Sequence, residues 1–133
     1  MFSKRVGKAG KIYANEIKGR LLRKIKKRCK KEGITNVITV LGEQTDARFP
    51  RNDLDMVYMR HVLHCMRKPT PWLKSVKKYM KPNASLVIID GDPDILGFGW
   101  KYEIKREEVI RMAEEAGFKL ARLETFLLPK DYI

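Results

Sequence analysis

Three side chains able to move a proton or ligate a metal fall within five residues: His61, His64 and Cys65. On an α-helix such i, i+3 and i+4 positions share one face, and histidine and cysteine both bind zinc. No fourth ligand accompanies them, so non-metal roles are expected and no metal is assigned. His64 is the candidate general base, because neutral imidazole is an effective proton acceptor at physiological pH; the alternative is a helix-start histidine bonded to backbone. Glu16 closes a short run of strand formers, and in a doubly wound sheet an acid at such a carboxyl end can accept hydrogen bonds from a ribose diol. Its alternative is a surface glutamate at the start of the next helix, where negative charge is mildly stabilising. Asp55 and Asp90 stand at strand ends and are expected to bond neighbouring backbone. Trp72 and Tyr79, at helical spacing, read as core, whereas Trp100 falls in a loop.

The elements that must position these groups follow from hydrophobic period. Residues 11–17, 36–42, 54–59 and 85–90 are short, apolar and rich in strand formers, the last two runs ending near His61 and at Asp90. Between them the period changes. Leu21, Leu22, Ile25 and Cys29 make one stripe on a basic helix over 18–32, stopped by Gly33. Thr70-Pro71 reads as an N-cap with proline in the first turn, followed by a helix burying Trp72, Leu73, Val76 and Met80. A further helix over 103–116 carries Val109, Ile110, Ala113 and Ala116 inward and ends at Gly117, and 118–128 reads as a final strand. Polar residues 43–53 and the Gly/Pro-rich stretch from 91 to 99 are loops. Alternating strands and helices predict an α/β, Rossmann-like domain with a mostly parallel sheet and ligands at the carboxyl ends of its strands.

Composition bounds the reading. The 133 residues form one expected domain, 1–133, and 44% hydrophobic with 34% charged residues excludes disordered and low-complexity classes. Two cysteines in such a chain point to a reducing, cytoplasmic setting. No apolar run reaches the ~20 residues that span a bilayer, and Met1 to Gly7 lacks the apolar centre of a signal peptide, so no membrane partner is expected. Net charge is +13, and residues 1–31 hold 13 Lys/Arg against the single acid Glu16. That block reads first as the solvated face of a helix and second as a surface for nucleic acid or anionic lipid.

The ordered strings resemble class I S-adenosylmethionine-dependent methyltransferases of the small-molecule type. Val6 to Ile17 looks like the end of that family's first helix and its second strand with the ribose-binding acid. Glu32 to Val37 and Leu41-Gly42-Glu43 look like its third strand and the acid beside adenine, and Leu54 to Val57 with Val62 to Cys65 like the fourth strand and the turn after it. Met80 to Ala84 resembles the lysine-proline-glycine-glycine turn, with both glycines replaced, and Ala113 to Phe118 the helix entering the sixth strand. The resemblance implies S-adenosylmethionine as cofactor and methyl transfer to a small-molecule acceptor. It implies Glu16, Ile17, Glu43 and Gln44 on the ribose and adenine side, with Asp46 a further adenine-side candidate, Arg60 near the methionine end and His64 on the acceptor side. It also implies substrate contacts in the loop that carries Trp100, which makes that residue a candidate pocket wall.

The family's glycine-rich loop and first strand have no counterpart upstream of Val6, so weak or no cofactor binding is expected of residues 1–133. Two other readings stand beside this one: a catalytically inactive methyltransferase-like interaction domain, and a basic RNA-binding or RNA-modifying protein. In the resembled fold the first strand lies between those at 11–17 and 54–59. Without it, either these two pair directly or a second copy covers the open edges, and a homo-oligomer is the expectation.

Overall fold

The computed structural model describes residues 2–91, 104–124 and 131–132, the last two by backbone alone. The chain divides into two compact units, Met1–Pro50 and Arg51–Ile133.

In the first unit, helix α1 (Phe2–Arg5) precedes strand β1 (Ile12–Glu16), helix α2 (Gly19–Lys31) and strand β2 (Val37–Leu41). The strands pair in parallel from Ile12 opposite Val37 to Glu16 opposite Leu41, as expected for strands joined by a helical crossover. The Asn36 side-chain amide donates to the carbonyls of Ser3 (2.9 Å) and Gly7 (3.1 Å), satisfying acceptors left open where α1 ends. The stripe on α2 is shallower than its period suggests: Leu22 is buried, while Leu21, Ile25 and Cys29 are half-buried. The helix stops at Gly33, which lies at φ +63; there Gly33 N–H donates to Lys30 and Ile34 N–H to Cys29, the reciprocal bonds that close a helix through a left-handed residue.

In the second unit, β3 (Leu54–Arg60) and β4 (Met80–Gly91) form a parallel ladder from Met56 opposite Ser85 to Arg60 opposite Ile89. One residue of β3, Asp55, faces the four residues 81–84, so the turn expected at Lys81-Pro82 is an irregularity inside a strand longer than the predicted 85–90. Lys81 Nζ closes it by donating to Asp55 at 2.6 Å, which pushes the Lys81 ammonium up from its ordinary value. Helix α3 (Pro69–Lys77) begins earlier than Thr70 predicts: Lys68 is its N-cap without a side-chain bond, and the fixed φ of Pro69 and Pro71 suits the first turn. Tyr79 and Met80 lie beyond its end, and Met80 instead opens β4.

Helix α4 (Arg106–Glu115) packs on α3 through buried Trp72, Leu73, Val76, Val109, Met112 and Ala116. It starts three residues later than predicted, and its buried face includes Met112, which the predicted stripe omits. Gly117, at φ +87, ends it by the same bond pattern as Gly33, with Phe118 N–H donating to Ala113. Lys77 bonds the Gly117 carbonyl and sits 5.6 Å from the centre of the Phe118 ring, tying α3 to the end of α4.

The predicted strand over 118–128 is not found in its described part: residues 118–124 have no ladder partner, and 125–128 lie outside the described residues. A short antiparallel strand, β5 (Asp131–Tyr132), pairs instead with Asp90 and Gly91 of β4. The predicted loop from 91 to 99 and Trp100 lie outside the described residues apart from Gly91. The first unit's sheet has the order β1-β2 and the second unit's the order β3-β4-β5. No helix of the described residues is long and apolar enough to cross a membrane.

Leu73 and Val76 are fully buried between α3 and α4. Leu73→Ala is expected to cost about 2–5 kcal/mol in urea unfolding, through lost transfer energy and the cavity left behind. Leu120→Ala, at a position 54% exposed, is expected to stay within about 0.5 kcal/mol of wild type. Equal effects would mean that the α3–α4 contact is not the centre of this unit's core.

Candidate functional site

The carboxyl ends of β3 and β4 bring together side chains 26 to 29 residues apart in sequence. His61 follows the last residue of β3 and extends the ladder by one bond, its N–H donating to the Ile89 carbonyl at 2.8 Å. Its backbone then turns into the left-handed region, φ 49, which a residue with a Cβ adopts at some cost. That reversal leads into one turn of 3-10 helix, Leu63–Cys65, anchored by Leu63, which is 1% exposed. His64 lies on this turn with Nδ1 2.6 Å from Asp90 Oδ1, at the end of β4.

Asp90 is wholly buried. Oδ1 also accepts the Gly91 N–H at 3.1 Å, so the expected backbone bond is present, but it is accompanied by the histidine. Oδ2 has no hydrogen-bond partner among the described residues. His61 Nδ1 approaches Oδ1 to 3.9 Å, and the two imidazoles meet edge to face with centroids 6.3 Å apart. His64 therefore bonds a carboxylate rather than the backbone partner its alternative reading predicts. The shared helix face proposed for His61, His64 and Cys65 is absent, because His61 precedes the turn and the turn is a single one. Spacing placed Cys65 with the histidines; the fold puts Asp90 there instead.

His61, His64 and Asp90 each offer a ligand atom, all within 4.8 Å of one another. Two atoms on one tetrahedral zinc, each ~2.0–2.1 Å from the ion, stand roughly 3.3 Å apart. The 2.6 Å separation of His64 and Asp90 is a hydrogen bond, and an ion ligated by both would have to replace it. As it stands, the arrangement is a histidine oriented by a carboxylate. If His64 Nδ1 carries the proton donated to Asp90, Nε2 is left as an acceptor.

The other predicted residues occupy ends of elements. Glu16 is the last residue of β1, and its Oε1 accepts the Lys18 N–H at 2.9 Å, leaving Oε2 without a bond among the described residues. Ile17 beside it is 46% exposed. Glu43 pairs with Arg48 at 2.7 Å, and Gln44 is exposed. The loop after β2 that carries them is held by Asn15, whose amide donates to the Ala47 carbonyl. A Cβ on Gly42 would stand 2.8 Å from Asn15 Oδ1, so this close approach needs glycine. Asp46 accepts the Arg48 N–H at 2.8 Å and so shapes the loop. Arg60 is exposed at the end of β3.

Asp55 pairs with Lys81, away from the histidines in the ladder. Trp72 is core, as expected. Asn15 was missed because a strand asparagine carries no signature until its partner loop is known. A cavity of about 680 Å³ in the second unit lies among β4, α4 and residues 118–124, and none of the predicted site residues lines it.

A family profile described as a methyltransferase domain matches residues 1–124. No curated protein sequence matches significantly. Among solved structures, a SAM dependent methyltransferase from Aquifex aeolicus superposes with a TM-score of 0.88 and 26% identity, over 98% of this chain and 70% of that one. A putative methyltransferase from Bacillus halodurans gives 0.71 with 20% identity, over 86% of this chain and 55% of that one. The cyclase SpnF gives 0.76 with 16% identity, over 87% of this chain and 45% of that one. This chain thus spans about half the length of the latter two, whose likeness concerns the fold alone. With the profile running through both units and the parallel, Rossmann-like architecture shared with these structures, the chain belongs to the methyltransferase domain family.

Proposed function

We propose that this chain acts in S-adenosylmethionine-dependent methyl transfer to a small-molecule acceptor, with His64 as the base that takes the acceptor's proton. The observation that carries the reading is the 2.6 Å bond between His64 Nδ1 and buried Asp90 at the carboxyl ends of adjacent parallel strands. The likeness to the Aquifex aeolicus structure, described as a SAM dependent methyltransferase, supports the cofactor. A reducing, cytoplasmic setting suits the free thiols Cys29 and Cys65.

The residues present suit that cofactor. Glu16 has one carboxylate oxygen engaged by Lys18 and the other available to a ribose diol. In the same unit, Ile17 offers exposed apolar surface to a base, and Glu43 and Gln44 offer polar groups to adenine. When bound, the cofactor supplies an electrophilic methyl group on a sulfonium. His64, held in one tautomer by Asp90, accepts the proton of an acceptor O–H or N–H at Nε2. Taking that proton would leave the acceptor's oxygen or nitrogen with an electron pair free to attack, and Asp90 would balance the charge gained by the imidazole. Most of the acceleration comes from in-line positioning, and the base contributes about 10²–10⁴-fold.

His64→Ala and Asp90→Asn are expected to lower kcat by about 10²–10⁴-fold, with little change in KM for the cofactor. Production of S-adenosylhomocysteine across a panel of phenols, carboxylic acids and amines checks this. Proton NMR adds a readout free of turnover: a downfield His64 Nδ1–H resonance, lost in Asp90→Asn. Undiminished turnover in His64→Ala would exclude it as the base, and an inert chain over the whole panel would favour the interaction-domain reading.

For the nucleoside contacts, millimolar S-adenosylhomocysteine is expected to raise Tm. Glu16→Ala should abolish that shift while leaving Tm without the ligand within a few degrees, since half-buried Glu16 makes one hydrogen bond, to the Lys18 N–H. An undiminished shift would remove Glu16 from the site.

We also propose self-association. β1 and β3 each have one ladder partner among the described residues, which leaves each with an edge able to template a second copy. Light scattering at micromolar concentration is expected to give more than the 15.5 kDa of one chain; a stable monomer would overturn this.

A further inference from the structure

From α2 we infer a second binding activity, separate from methyl transfer: sequence-independent docking on the phosphodiester backbone of duplex nucleic acid. This helix has eight Lys/Arg among its thirteen residues and no acid. The 3.6-residue period places Arg20, Arg23, Lys24, Lys27 and Lys31 on the side away from the stripe of Leu21, Leu22, Ile25 and Cys29, and all five are exposed.

A helix face that served only solubility would be expected to mix signs, because Glu and Lys four residues apart stabilise a helix and like charges destabilise it. Here Arg20 faces Lys24, Arg23 faces Lys27 and Lys27 faces Lys31, all at i, i+4. The first turn has no acid, so Arg20 also stands at the positive end of the helix dipole. Within α2 only Arg28 has an ion-pair partner among the described residues, Glu32 just past its end, and that bond raises the Arg28 pKa. The five cations on the face have none. A charge density that opposes the helix's own stability is accounted for by an external polyanion that neutralises it.

The side chains further select the polyanion. No apolar residue of α2 is exposed, so the helix has no face to sink into a bilayer. It has no aromatic side chain on which unstacked bases could rest, which disfavours single strands. It has no Asn, Gln, Asp or Glu to read adenine or cytosine edges, which limits base readout to guanine and leaves Lys/Arg contacts with phosphate as the dominant interaction. Thirteen residues make a rod of about 20 Å, matching roughly six phosphates along one strand of a duplex at 3.4 Å each.

The test is fluorescence anisotropy of the full chain with labelled ~20-base-pair duplexes, RNA and DNA, each in two unrelated sequences, from ~50 to ~200 mM salt. Binding is expected to differ by less than about threefold between sequences and to fall steeply with salt, with a log–log slope near −4 to −5 for about five phosphate contacts. The RNA and DNA arms assign the source: whichever duplex binds tighter is the ligand. The triple variant Lys24→Gln, Lys27→Gln, Lys31→Gln should lose at least about tenfold in affinity at ~50 mM salt and flatten the slope by about 3. It should melt no lower than wild type, because like-charge pairs have been removed. The same number of charges removed elsewhere, Lys74→Gln, Lys78→Gln and Lys119→Gln, should leave affinity and slope near wild type. Should the α2 triple variant melt lower, Lys27→Gln alone replaces it, with a slope change of about 1 expected. Unchanged slope in the α2 variants, equal losses in the control triple, strong preference for one sequence, or tighter binding to phosphatidylserine vesicles than to either duplex would each overturn the inference.

Discussion

A carboxylate removed from water must be given partners, and much of the second unit is arranged around that demand at Asp90. The end of β4 is covered so completely that 1% of the Asp90 side chain is exposed. One backbone N–H and one imidazole reach Oδ1. To deliver that imidazole, β3 must end at Arg60, the chain must reverse at His61 in a left-handed conformation, and the next turn must be pinned by buried Leu63. The strain at His61 and the shortness of the 3-10 turn have a common cause, since a longer helix or a relaxed His61 would carry His64 away from β4. The same burial that requires the bond also strengthens it, because little water competes for either partner.

The two units follow one design rule. Each is built on parallel strands joined through a helical crossover, and in each the polar groups of interest gather where the strands end: Glu16 and the loop after Leu41 in the first, Arg60, His61, His64 and Asp90 in the second. Parallel pairing makes this concentration unavoidable, because all carboxyl ends point one way and the connections leaving them are the parts free to vary. The likeness in fold to the cyclase SpnF illustrates the corollary that the scaffold fixes where chemistry happens and leaves which chemistry to particular side chains.

Charge is distributed by a different logic. The first 50 residues hold fourteen Lys/Arg and four Asp/Glu, so they contain most of the excess positive charge. In the second unit several cations have acidic neighbours: Lys81 has Asp55, Arg51 has Asp53, and Arg111 has Glu115. Arg51 holds the Asp53 carboxyl below its usual range, and Arg106 does the same to Glu107. Such exposed pairs add little stability each, but they leave that surface electrically mixed. The contrast with α2 is one of composition and is visible in the bare sequence.

What local pattern controls was legible in the sequence. The strands near 12–16, 37–41 and 54–60, the basic helix ending at Gly33 and the helix ending at Gly117 follow from period and from the need for a left-handed residue at a helix end, all of which act over a few residues. Glu16 at a strand end follows from the same reasoning. The partnership of His64 with Asp90 was not legible, because it joins residues 26 apart through the register of β3 on β4, and register is set by packing over the whole ladder. Nor was the fate of residues 118–124, whose strand-like pattern does not by itself supply a partner, since a strand exists only where another edge accepts its hydrogen bonds. Spacing alone grouped His61 with Cys65; tertiary structure replaced the cysteine by a buried aspartate, because burial, unlike period, is decided by everything that packs around a residue.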